Sequence, residues 1–109
     1  MYLAMNRFRV KVGDEAAFEE IWRNRESKLL ETEGFLRFDL LKGEEKDGFT
    51  LFASHAMWRD KDAFIAWTRS PQFRSSHGGP RPKVEYAGPP VLECFEALDD
   101  LTIRALEWD

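Results

Sequence analysis

From Tyr2 to Val12 the chain alternates. Tyr2, Ala4, Phe8, Val10 and Val12 share one face, and Arg7, Arg9 and Lys11 take the other. Period two of this kind predicts a half-buried β-strand. Asn6 falls on the apolar face, and a carboxamide there must find partners, because an unsatisfied one costs on the order of 1–3 kcal/mol. Two readings stand: Asn6 bonds nearby backbone, or it is a polar group aimed into a ligand pocket between sheet and helices. After a turn and N-cap at Gly13-Asp14, with Glu15 placed for the helix dipole, the period changes. Phe18, Ile21, Trp22, Arg25 and Leu29 recur at helical spacing, predicting a helix from about Asp14 to about Glu31. Arg25 lies in that stripe, either as a snorkelling side chain or as a cation at a pocket mouth. Gly34 closes the connection in the manner of a left-handed residue after a helix.

Two further strands, Phe35 to Lys42 and Phe49 to Trp58, flank the polar loop Gly43 to Gly48, a hairpin signal. Leu36, Phe38 and Leu40 are expected on one side of the first, with Phe35 and Leu41 on the other. In the second, Phe52, Ala56 and Trp58 oppose Phe49, Leu51, Ala53 and Met57. Both faces are apolar, so the face away from the helices is expected to be covered, most economically by the same face of a second copy. His55, between Ala53 and Met57, reads as a packed or interface histidine.

Asp60 is the N-cap of a second helix bearing Phe64, Trp67 and Thr68 on one face. Ser70-Pro71 stops it and starts a short turn that delivers His77 to a glycine-rich loop. Gly78 to Pro90 holds three Gly and four Pro, predicting irregular chain able to act as a lid beside His77. Val91 to Leu98 is a fourth strand in which Cys94 reads as a small buried hydrophobe. The apolar tail, residues 99–109, has no predicted position. The order β-α-β-β-α-β is that of a ferredoxin-like α+β domain, a four-stranded antiparallel sheet with both helices on one face.

Composition narrows the class. A chain of 109 residues and 12.8 kDa suits one domain, residues 1–109. Nine Phe, four Trp and two Tyr are heavy for that length, as in a core that also covers a partner or a large flat ligand. A net charge of −4 without a basic run argues against a nucleic-acid surface. No signal peptide and no membrane-length apolar run are seen, and a single cysteine permits no internal disulfide, so the cytoplasm is the expected compartment.

These residues carry a family resemblance over residues 2–98. Asn6 within Met5-Asn6-Arg7, Glu33-Gly34-Phe35, Met57-Trp58, Ala63-Phe64-Ile65-Ala66-Trp67 and Phe73-Arg74-Ser75-Ser76-His77 resemble the antibiotic biosynthesis monooxygenase (ABM) superfamily of dimeric α+β barrels. Within it they resemble the IsdG-type haem-degrading monooxygenases. The resemblance implies a homodimer in which two sheets close the barrel. It implies that His77 is the axial ligand of haem iron, that Asn6 donates a hydrogen bond toward the oxygen on the opposite side, and that Trp67 presses on the porphyrin. Phe64 joins that wall, and Arg25 is the candidate contact for a propionate. Haem would be substrate and cofactor together, opened with O2 and electrons from an external donor, an unidentified reductase. The loop after His77 and the tail depart from the family pattern, which leaves the product open. Two other functions fit the barrel: a non-catalytic haem carrier or sensor, and a cofactor-independent monooxygenase of quinols or phenols.

Overall fold

The computed structural model describes residues 1–25, 28–71, 73 and 83–105. Strand β1 (Tyr2–Lys11), helix α1 (Glu15–Arg23), strands β2 (Phe35–Lys46) and β3 (Phe49–Trp58), helix α2 (Lys61–Thr68) and strand β4 (Val91–Glu96) follow in chain order. The sheet is antiparallel throughout, ordered β2-β3-β1-β4. This is the expected ferredoxin-like arrangement. No described helix is long and apolar enough to cross a membrane.

Alternation in β1 does what its pattern requires. Val10 is fully buried and Phe8 packs with Phe18 of α1, while Ala4 is buried beneath α2. On the opposite face Arg7 meets Glu93 of β4 at 2.9 Å. The hairpin is tighter than the polar run Gly43 to Gly48 suggests. Strand β2 continues to Lys46, and only Asp47 and Gly48 turn, with φ of 56° and 84°. Two consecutive left-handed residues match the twist of the strands they join, and Asp-Gly is the pair that tolerates them. A register shift between Phe35 and Arg37 accommodates one extra residue opposite β3. That bulge carries Phe35 to the helix side, where it meets Trp58 edge-on at 5.5 Å, and leaves Leu36 exposed. Phe35 and Leu36 therefore exchange the faces that simple alternation gives them.

Helix α1 is shorter than its apolar stripe implies. It ends at Arg23 with Asn24 as C-cap, and Leu29–Glu31 forms a separate 3-10 turn. Packing explains the break. Trp22 serves the cluster of Val10, Phe18 and Phe52, whereas Leu29 serves a second cluster around Trp58, Ala63 and Trp67. Asp14 precedes α1 without capping it; its carboxylate accepts from the Glu85 backbone N–H at 3.0 Å. Glu15 instead gathers the local donors, the Gly13 N–H at 2.6 Å and the Thr50 hydroxyl at 2.9 Å. Asp60 does cap α2, accepting from the Ala63 N–H at 2.8 Å. Gly34 permits the close approach of that helix: its φ is 83°, and a Cβ there would lie 2.5 Å from the Ala63 Cβ.

The segment expected to be wholly irregular is tied down in part. Tyr86 bridges to Val10, with Lys11 N–H donating to Glu85 and Ala87 N–H donating to Arg9. These bonds extend the pairing of β1 beyond the end of β4. Cys94 is exposed, not buried, because β4 is an edge strand with only β1 beside it.

Candidate functional site

A cavity of about 370 Å³ opens between the helix side of the sheet and the two helical segments. Its floor is sheet. Register sets Leu40, Ser54, Asn6 and Leu92 in one row across all four strands, and Ala4 and Ala56 side by side in the next. Small alanines keep that part of the floor low, so space remains above it. Trp67 and Phe64 of α2 form one wall, and Trp22 and Arg25, from the end of α1 onward, form another.

Four of the five residues picked out from sequence meet here: Asn6, Phe64, Trp67 and Arg25 all line this cavity. The fifth, His77, lies outside the described residues. Phe73, four positions earlier in the chain, lines the cavity and meets the Trp67 ring edge-on at 5.7 Å. The Ser70 hydroxyl explains how the chain turns there. It donates to the Trp67 carbonyl at 2.7 Å and accepts from the Phe73 N–H at 3.1 Å, bridging the end of α2 to the segment beyond Pro71.

Aromatic packing fixes the walls. Trp67 is 6% exposed, its ring centred 6.0 Å from that of Trp58. Phe64 sits 5.6 Å from Tyr2 and 6.1 Å from Trp58. The Arg25 guanidinium carbon stands 4.0 Å over the Trp22 ring centre, a cation–π contact that holds the charge at the cavity edge. Trp22 in turn stacks on Phe38 at 5.6 Å. Beside this wall, at the sheet edge, a hydrogen bond with Cys94 raises the Tyr2 phenol above its ordinary value.

Two polar atoms of the lining are conspicuous. Asn6 Oδ1 and Trp58 Nε1 are buried without a hydrogen-bond partner among the described residues. Native interiors rarely leave such groups unpaired, so each calls for a partner beyond the described residues. Among the described residues no backbone group bonds the Asn6 Oδ1. Sequence reasoning gave Trp22 and Trp58 no role in the site and did not single out Ser54. The signal was present, since Ser54 shares the parity of Phe52, Ala56 and Trp58.

Residues 1–78 match the family model described as antibiotic biosynthesis monooxygenase. The chain belongs to this family. No curated protein matches the ABM chain in sequence. Among solved structures it is similar to the haem-degrader MhuD of Mycobacterium tuberculosis, solved with two haems in its active site. Identity is 24% over 95% of this chain and 100% of that one, with a TM-score of 0.72. A variant of MhuD with two manganese protoporphyrin IX per active site gives 22% identity, 96% and 100% coverage, and a TM-score of 0.75. SnoaB of Streptomyces nogalater, a cofactor-independent oxygenase, gives 23%, 98% and 97%, and 0.56. At these identities the likeness shows the ABM fold alone. The same fold serves haem-bound and cofactor-free proteins, so the side chains of the cavity must carry the functional argument.

Proposed function

We propose that this ABM protein is a haem-degrading monooxygenase, which binds haem in the cavity and opens the porphyrin ring with O2 and external electrons, releasing iron. The observation that carries the reading is the cavity itself: Trp67 and Phe64 form an aromatic wall, and the floor opposite holds the buried Asn6 Oδ1, which has no partner among the described residues. An aromatic wall suits a flat macrocycle, and a lone amide in apolar surroundings suits a single polar event at its face. The volume lies within the roughly 300–1,000 Å³ common to small-molecule and cofactor sites. The residues present thus fit the group.

Haem, when bound, supplies the iron at which O2 is activated and is also the substrate. Trp67, with Phe64 beside it, supports the macrocycle and excludes water from its face. Asn6 contributes an amide N–H that can steady developing negative charge without giving up a proton. Arg25, held over Trp22, offers a fixed cation to a propionate. His77 would hold the iron through a neutral imidazole nitrogen. The proposal includes one domain over residues 1–109, a cytoplasmic setting, an unidentified reductase and a homodimer. Support for the dimer is the sheet face away from the helices, where Leu41, Leu51, Val91 and Phe95 are each more than a third exposed.

The test is an absorption titration with hemin, repeated after ascorbate in air with catalase present to remove free peroxide. A Soret band should develop and then disappear under reductant, with iron released to a chelator. A His77→Ala protein should lose both ligation and turnover. A band that stays stable under reductant would make the protein a haem carrier, and absence of a band would favour the cofactor-independent alternative.

A further inference from the structure

The proposed chemistry employs Asn6 and leaves its cross-strand neighbour without a task. Ser54 on β3 stands directly opposite Asn6 on β1, and both line the cavity. Opposed Cβ atoms of an antiparallel pair lie about 4.5–5.5 Å apart. Leucines flank the two in their own row, Leu40 beyond Ser54 and Leu92 beyond Asn6. Along the strands the neighbouring pairs on this face are Ala4 with Ala56 and Phe8 with Phe52. Ser54 and Asn6 are thus a polar island of two residues in an apolar floor.

Ser54 is half-buried, but Asn6 Oδ1 is fully buried, and a buried polar group without a partner forfeits its hydration. The two do not satisfy each other in full. Asn6 Oδ1 has no partner among the described residues, although a serine hydroxyl is next to it. The Ser54 hydroxyl makes no hydrogen bond among the described residues either. That hydroxyl can donate to a group entering the cavity, as can the Nδ2 of the Asn6 carboxamide, whose Oδ1 only accepts.

We propose that Ser54 and Asn6 form a two-donor cradle, with the Ser54 hydroxyl as second hydrogen-bond donor to one small anionic or oxygen ligand held between the haem face and the sheet. The inference rests on the haem reading and adds a residue to it. A hydroxyl rotates freely about its C–O bond, and a carboxamide presents two N–H groups, so the pair can converge on one acceptor atom. Two donors define a direction where one defines only a distance, and donors fixed beforehand on adjacent strands need no reorganisation when charge develops.

Azide serves as the probe, an anion that binds ferric haem without turnover. Its dissociation constant is measured on the hemin complexes of the wild type, Ser54→Ala, Ser54→Thr and Asn6→Ala. Ser54→Ala should take up hemin within about twofold of wild type yet bind azide about tenfold more weakly, the size of one lost hydrogen bond to a charged ligand. Ser54→Thr, which keeps the hydroxyl, should recover most of that loss, and the Soret maximum of the azide complex should move in Ser54→Ala alone of the two. Azide affinity in Ser54→Ala equal to wild type, with Asn6→Ala weakened, overturns the cradle and leaves the haem reading intact. A wild-type protein that takes up no hemin overturns both.

Discussion

Phe18 and Trp67 occupy comparable places, each on the inward stripe of a short helix over the same face of the same sheet, yet their surroundings differ. Around Phe18 the aromatic rings close on one another. Phe18 and Phe52 are 4.7 Å apart, both 1% exposed, and Phe8 and Trp22 seal the sides. The buried hydroxyl at that end, Thr50, is satisfied by Glu15. Around Trp67 there are aromatic rings but also the cavity, and Asn6 Oδ1 and Trp58 Nε1 lie there without a partner among the described residues. One end of the sheet is arranged for packing, the other for a guest. Imperfect satisfaction within a cavity is what a functional site costs a fold.

The largest effect that separates the two ends is a cavity made where none exists. Phe18→Ala removes a ring packed on all sides and should cost about 3–5 kcal/mol in equilibrium urea unfolding. The protein that remains folded should still bind hemin, because Phe18 does not line the cavity. A loss under about 1 kcal/mol would mean that the Phe18 end is as loosely filled as the Trp67 end.

A converse change tests the other end. Asn6→Leu replaces a carboxamide whose oxygen lacks a partner among the described residues with an apolar side chain of similar size. Removing such a group relieves a desolvation cost on the order of 1–3 kcal/mol. The expected outcome is an unchanged or raised Tm together with slower hemin breakdown under ascorbate. A clear fall in Tm would show that Asn6 stabilises the resting fold, and the contrast between the two ends would lose its main support.

Much of this contrast was legible in the residues, and the misreadings have local causes. Alternation placed Asn6 among apolar neighbours, and helical spacing placed Phe64 and Trp67 together, because both periods survive intact from Tyr2 to Lys11 and from Lys61 to Thr68. Periodicity failed where the chain slips by a residue. The bulge at Phe35–Arg37 exchanged Phe35 and Leu36 between faces, and nothing in those side chains announces a bulge. Arg25 and Leu29 continued the stripe of α1 in sequence while serving different neighbours in space, a division visible only once Trp22 and Trp58 fall into separate clusters. Exposure of Cys94 follows from β4 being an edge strand, which is a property of strand order rather than of any one residue.

The smallest expected effect concerns the two helix caps, which look alike in sequence and act differently. Asp14 and Asp60 each precede a helix, yet only Asp60 accepts from its own helix, at the Ala63 N–H. That bond, with the Arg59 guanidinium beside it, holds the Asp60 carboxyl below its ordinary value of 3.8. A carboxyl lowered in the folded state contributes stability that is fully present above its unfolded value and is lost as pH falls through the lowered, folded one. Asp60→Ala should therefore lower Tm slightly at neutral pH, and the difference from wild type should shrink once the pH passes below that point. Asp60→Asn, which keeps an acceptor oxygen for the Ala63 N–H, should hold most of the cap at neutral pH and lose the acid dependence. Asp14→Ala should remove no cap bond of α1, keep the Gly13 N–H bond to Glu15 and affect only the strap to Glu85. Thermal melts of the three variants from about pH 7 down to about pH 2 decide the matter. Equal losses in Asp14→Ala and Asp60→Ala, with the same pH course, would show that the two helices are anchored alike and that the difference between the sheet's two ends lies in side-chain packing alone.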